Sequence, residues 1–113
     1  MKLPNGDRAV VDLVKLRDYS LSETHPRGKH KARVFRAAVG LTVAELDELH
    51  QALLAAARDG EAIGGDADEW GQRYTVDFEM HRKGRSAPVR SAWIVLAHED
   101  FPRLTSCYVI KEQ

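Results

Sequence analysis

The sequence predicts an α+β fold in which two or three N-terminal helices pack on a C-terminal antiparallel β-meander of three to four strands. Apolar residues recur at helical spacing as far as Arg58, whereas from Tyr74 onward they alternate one by one with polar residues. Turn-forming clusters at Lys83-Gly84-Arg85-Ser86 and from Glu99 to Pro102 then divide the alternating part into strands. A length of 113 residues with 43% hydrophobic content suits a single domain spanning residues 1–113.

In chain order, Lys2 to Gly6 is turn-like, and Ala9-Val10-Val11 is β-branched enough for a short lead-in strand or buried segment. Asp12 is a candidate N-cap for a helix from Leu13 to about Ser20, with Leu13, Leu16 and Tyr19 along its buried stripe. Ser20 to Gly28 reads as an exposed loop, because Pro26 disfavours helical backbone at His25 and delays the next helix until after Gly28. That helix runs from about Lys29 to Val39 and stops at Gly40. Thr42-Val43-Ala44-Glu45 has the hydroxyl and carboxylate of a capping box and opens a strong helix to about Arg58, with Leu46, Leu49, Leu53, Leu54 and Ala57 facing inward. His50 lies at the edge of that stripe, where a structural role is expected.

Gly60 to Asp68, made of Gly, Asp and Glu for the most part, reads as an acidic mobile loop. Tyr74, Val76, Phe78 and Met80 then form one face of a half-buried strand. Val89 to Leu96 is apolar on both faces and reads as central, and Arg103 to Ile110 completes the meander. Cys107, the single cysteine, is expected in the core; it excludes an intrachain disulfide and a multi-cysteine metal site and fits a reducing compartment. No run of eighteen apolar residues and no N-terminal secretory segment is present, so the expectation is a cytoplasmic chain without a membrane partner, or one delivered by another module.

The 17 basic and 17 acidic side chains cancel, but they are segregated: residues 1–40 carry +5, residues 41–70 carry −7, and the remainder +2. Broad nonspecific binding to duplex DNA is therefore disfavoured. The positive charge concentrates in His25-Pro26-Arg27-Gly28-Lys29-His30-Lys31-Ala32-Arg33, where a loop runs into a helix start without one acid. Each cation at a helix N-terminus costs about 0.3–1 kcal/mol at low salt, and a bound phosphate would relieve that cost and use the free amides of the first turn. The stretch is thus either an anion site or a solvated basic loop.

There is no Gly-rich phosphate loop, paired-cysteine motif or His-Glu-x-x-His. Asp77 and Glu79 share a strand face as a pair of metal-binding carboxylates would, but His81 stands where a nuclease lysine is expected, which favours a solvent-facing edge. The remaining constellation suits RNA cleavage without metal or other cofactor, which needs a base for the 2′-hydroxyl, an acid for the leaving oxygen and cations around the phosphorane. His30 is the first candidate for the proton work and His25 the second. Lys31 and Arg90 are candidate phosphate clamps, with Arg103, Thr105 and Ser106 as donors and Arg27, Lys29 and Arg33 as further substrate-binding cations. Arg90 interrupts an apolar strand, so either a catalytic role or an ion pair with Asp77 or Glu79 accounts for it. Trp70, Tyr74 and Trp93 either stack on bases or belong to the core.

The segments Leu13-Val14-Lys15-Leu16-Arg17-Asp18-Tyr19, His25 to Phe35, Gly71-Gln72-Arg73-Tyr74, Val89 to Val95 and Pro102-Arg103-Leu104-Thr105-Ser106 resemble a family of small bacterial domains of unknown function over nearly the whole chain. Members of that family are similar in order and motif type to toxin domains of the barnase, EndoU, colicin D and RelE type. The resemblance implies a ribonuclease toxin acting on RNA, encoded with a small neutralising protein partner or fused to a delivery protein. It carries over His30, Lys31, Arg90 and Thr105 as catalytic positions. The segregated charge also supports a second reading, a noncatalytic protein-binding module of antitoxin, immunity or adaptor type.

Overall fold

Asp12, Gly40 and Thr42 set the helix boundaries in the computed structural model, which describes residues 1–111. The Asp12 carboxylate accepts from the amides of Val14 (3.0 Å) and Lys15 (3.3 Å) and starts α1, Leu13–Lys15. The chain continues as a wider π-helical turn over Leu16–Ser20, closed by the Leu21 amide donating to the Leu16 carbonyl. That widening changes which residues face inward. Leu16, Ser20 and Leu21 are buried, while Leu13, expected on the buried stripe, lies exposed.

Helix α2, Lys29–Val39, ends at Gly40, whose φ of 68° is the left-handed conformation that a glycine adopts without strain. Nη1 of Arg82 donates to the carbonyls of Val39 (3.1 Å) and Gly40 (3.0 Å), and its Nε donates to Glu48 (3.0 Å). One guanidinium thereby closes the C-terminus of α2, where the helix dipole favours a cation, and ties it to the following helix. Thr42 and Glu45 form the expected capping box around a short 3₁₀ turn, and α3, Leu46–Asp59, follows with Leu49, Leu53, Ala56 and Ala57 buried.

Four antiparallel strands, β1 (Ala62–Asp68), β2 (Gly71–Arg82), β3 (Arg85–Leu96) and β4 (Pro102–Val109), lie side by side in sequence order. The four-stranded α+β meander agrees with the predicted class, but β1 corrects the expected acidic loop. Only Ala62 of β1 is buried, so the strand carries no alternating hydrophobic signal; the backbone pairing of Ile63 with Thr75 and Gly64 with Tyr74 defines it. Lys83 and Gly84, both at positive φ (50° and 76°), make the tight turn between β2 and β3. At the far edge, the Val10 amide donates to the Pro102 carbonyl (2.9 Å) and its carbonyl accepts from Leu104 (3.0 Å), a parallel bridge that seats the lead-in segment on β4.

The helices cover one face of the sheet. Phe35, Val39, Leu49 and Leu53 meet Met80, Val89, Cys107 and Val109 in the main core, and Val76 and Trp93 form a second cluster with Leu3 and Ala57. Trp93 is therefore a core residue rather than a base-stacking one. Trp70, at the β1–β2 turn, is 66% exposed, and Tyr74 is half-buried. Among the described residues no helix is long and apolar enough to cross a membrane.

Burial pushes the Cys107 thiol up to about 11. The folded chain then keeps a proton that the unfolded chain loses, so this contribution to stability is complete below pH about 9 and declines as pH rises from there to about 11. At neutral pH Cys107 is expected to react with an aromatic disulfide reagent only after denaturation, and prompt labelling of the native protein would contradict the burial.

Candidate functional site

The basic stretch is shaped first by its own loop. The Nδ1 atom of His25 accepts from the backbone amides of Arg27 and Gly28, each at 3.0 Å, and the His25 amide donates to Ser22 Oγ (3.2 Å). The Lys29 amide is satisfied by the His25 carbonyl. These bonds narrow one part of the sequence argument: the His25 carbonyl takes the Lys29 amide, one of the first-turn amides that a phosphate was expected to use, while the Arg27 and Gly28 amides held by Nδ1 precede the helix. Gly28 is buried against the π-helical turn, where a Cβ would collide with the Tyr19 carbonyl oxygen. The close approach brings the Tyr19 ring edge-on to His25, with centroids 4.7 Å apart.

One turn further on, Lys31 extends from α2 between two aromatic rings. Its Nζ stands 5.9 Å from the Tyr19 centroid and 5.1 Å from that of Tyr108 on β4. Ring faces attract the ammonium without neutralising it, as a carboxylate would. His30, Lys31 and Val34 of α2, Tyr108 and Val109 of β4, and Lys111 line a cavity of about 270 Å³ beside this pair. Among the described residues its lining holds three basic side chains and no carboxylate.

Across the strand from Tyr108 lies Arg90 of β3, and across from Arg90 lies Asp77 of β2. The Arg90 guanidinium donates through Nε and Nη2 to the two Asp77 oxygens, both at 2.8 Å. Asp77 first, and the Tyr108 hydroxyl second, hold the Arg90 proton more tightly than usual, and the same bond keeps the Asp77 carboxyl below the ordinary carboxylate range. Both partners remain about two-fifths exposed, so the ion pair orients Arg90 more than it stabilises the fold. Asp77, Arg90, Tyr108 and Lys31 thus follow one another in a row that crosses three strands and reaches α2.

The other candidates lie around this row. Arg27 and Arg33 are exposed and Lys29 is half-buried, none of them lining the cavity. Thr105 is the extra residue of a β-bulge between the Ala92–Ser106 and Trp93–Leu104 pairs, and its hydroxyl donates to the Ala92 carbonyl (3.1 Å). Ser106 is half-buried, two residues before Tyr108 on the same strand face. Arg103 is engaged elsewhere: it donates to both Glu99 oxygens (2.7 and 2.8 Å) and stacks 4.9 Å over Phe101, bracing the turn before β4. Among the described residues no three His, Cys, Asp or Glu side chains gather closely enough to hold a metal ion.

Tyr108, Tyr19 and Lys111 were missed by sequence reasoning. Tyr108 shares a strand face with Ser106, two residues earlier, but its partners come from strand register and helix packing, which the sequence does not display.

What these observations define is an α+β domain with a cation-lined hollow between its second helix and its last strand. The chain belongs to the family described as Domain of unknown function (DUF6883), whose model matches residues 2–111. No curated protein matches it. Among solved structures it is similar to a chain of the "Contact-dependent growth inhibition toxin - immunity protein complex from Klebsiella pneumoniae 342", with 15% identity, a TM-score of 0.69, and coverage of 95% of this chain and 97% of that chain. At that identity the likeness is one of fold.

Proposed function

We propose that the domain is a metal-independent ribonuclease serving as the toxin of a toxin–antitoxin or toxin–immunity pair. The observation that carries this reading is the hollow lined by His30, Lys31 and Lys111, to which the described residues contribute no carboxylate, with the oriented Arg90 across the ladder from its Tyr108 wall. A phosphodiester entering it would meet cations on two sides. His30, exposed at the rim, takes the proton of a ribose 2′-hydroxyl; the freed oxygen attacks the adjacent phosphorus while the bond from phosphorus to the 5′-oxygen breaks. Lys31 and Arg90 balance the charge of the phosphorane, and the leaving oxygen takes a proton from solvent or from the protonated histidine. The products are a 2′,3′-cyclic phosphate and a 5′-hydroxyl.

The fold shared with a chain of a toxin–immunity complex supports a toxin or immunity role and a small neutralising protein as partner. RNA as substrate would place the activity in the cytoplasm. Purified protein is expected to cut total RNA at neutral pH equally well with and without EDTA, leaving cyclic phosphate ends; RNA that stays intact in both conditions would overturn the reading.

A noncatalytic, protein-binding role is the second reading, favoured by Trp70, 66% exposed on a turn flanked by Asp66, Asp68 and Glu69. Under that reading Trp70→Ala abolishes partner binding, while His30→Ala leaves all function unchanged.

A further inference from the structure

We infer that Tyr108 is the positioning residue that joins Lys31 and Arg90 into one phosphate-binding site, its ring beneath the Lys31 ammonium and its Cα directly across the ladder from Arg90. This rests on the nuclease reading for its purpose, but the clamp itself is a statement about anion binding.

Lys31 and Arg90 sit on different elements, a helix and a central strand, and each needs a separate restraint to face the same ligand. A lysine side chain has a flexible four-carbon stem, and a carboxylate partner would hold it only by competing with the phosphate. Two tyrosine rings at 5.1 and 5.9 Å hold it without that competition. For Arg90 the restraint is Asp77, which uses Nε and Nη2 and leaves the Nη1 hydrogens for a ligand oxygen, while Tyr108 across the ladder adds to the hold on the Arg90 proton. Tyr108 is common to both cations. The ligand class that fits is a single phosphate group on a ribose, because the hollow is about 270 Å³ and open beside Lys31, with Arg90 across the ladder from its Tyr108 wall.

The test separates ring from hydroxyl in the full chain, with adenosine 3′-monophosphate as the probe. Tyr108→Phe keeps the ring and is expected to weaken probe binding about threefold to fivefold, as loss of the hydroxyl's secondary hold on Arg90 would. Tyr108→Leu removes both contacts and is expected to weaken it about tenfold or more. In proton NMR, the ring-current shift of the Lys31 ε-methylene should survive in Tyr108→Phe and fall to the part contributed by Tyr19 in Tyr108→Leu, which reports the stacking itself, while the loss of probe affinity in the folded Tyr108→Phe variant is the change a merely structural tyrosine would not produce. Native affinity in both variants would overturn the proposal, as would failure of the native protein to bind the probe; if Tyr108→Leu does not fold, unchanged affinity in Tyr108→Phe decides against it. RNA cleaved normally by both variants overturns the role of Tyr108 and leaves the nuclease reading standing on Lys31 and His30, whereas probe binding that depends on Tyr108 in a protein that leaves RNA intact supports the anion site alone.

Discussion

Lys31→Ala is expected to lower RNA cleavage by about 10²–10³-fold, the usual loss when one preorganised donor to a developing oxyanion is removed. Its thermal midpoint should stay near that of the native chain, since Nζ contacts two ring faces and makes no buried hydrogen bond. Lys31→Arg restores the charge with a planar head on a different stem and should recover only part of the rate. His30→Ala belongs in the same experiment: a positioned general base contributes about 10²–10⁴-fold, and an exposed side chain can be removed without disturbing the core. Cleavage assays on the purified variants, paired with expression toxicity in bacteria, measure both. Full activity in folded Lys31→Ala would remove the phosphate clamp on which the ribonuclease reading stands.

The largest effect on stability is expected at Trp93. The indole is fully buried, and its Nε1 donates to Ser91 Oγ (2.8 Å), which in turn donates to the Val76 carbonyl (2.7 Å). Trp93→Ala should cost about 3–5 kcal/mol through lost contacts and the cavity left behind, a large share of the ~5–15 kcal/mol that holds a domain together. Ser91→Ala probes the relay separately: it strands the indole N–H in an apolar setting, at about 1–3 kcal/mol. Urea denaturation followed by circular dichroism reads both, and a shift below that range for Trp93→Ala would mean that the second cluster collapses around the gap. Since Trp93 also pairs with Tyr74 and Leu104, its loss should loosen the middle of the sheet before it reaches the hollow beside α2.

The helices were legible because their signals are local. Asp12 caps the residues next to it, Gly40 turns the chain where a side chain would strain, and Thr42 with Glu45 closes its own turn. β1 was illegible for the opposite reason. An edge strand with one buried residue has almost no apolar face to show, and backbone bonds to β2 hold it without help from composition. Arg90 lay between: its place in an apolar strand announced a partner, and the register made that partner Asp77 rather than Glu79, which sits across from Pro88.

By itself, then, the sequence determined the fold class, the helix ends and the crowding of cations around His30 and Lys31, all written in neighbours a few residues apart. Only the tertiary structure decided which cations share a hollow, that His25 spends its Nδ1 on the backbone, that Arg103 serves the turn at Glu99, and that Tyr108 stands between Lys31 and Arg90. Those outcomes depend on strand register, on the extra residue at Thr105 and on how α2 lies along β4. Contacts between residues dozens of positions apart leave no period in the chain, because they are selected by packing rather than by the local backbone preferences that periodicity records.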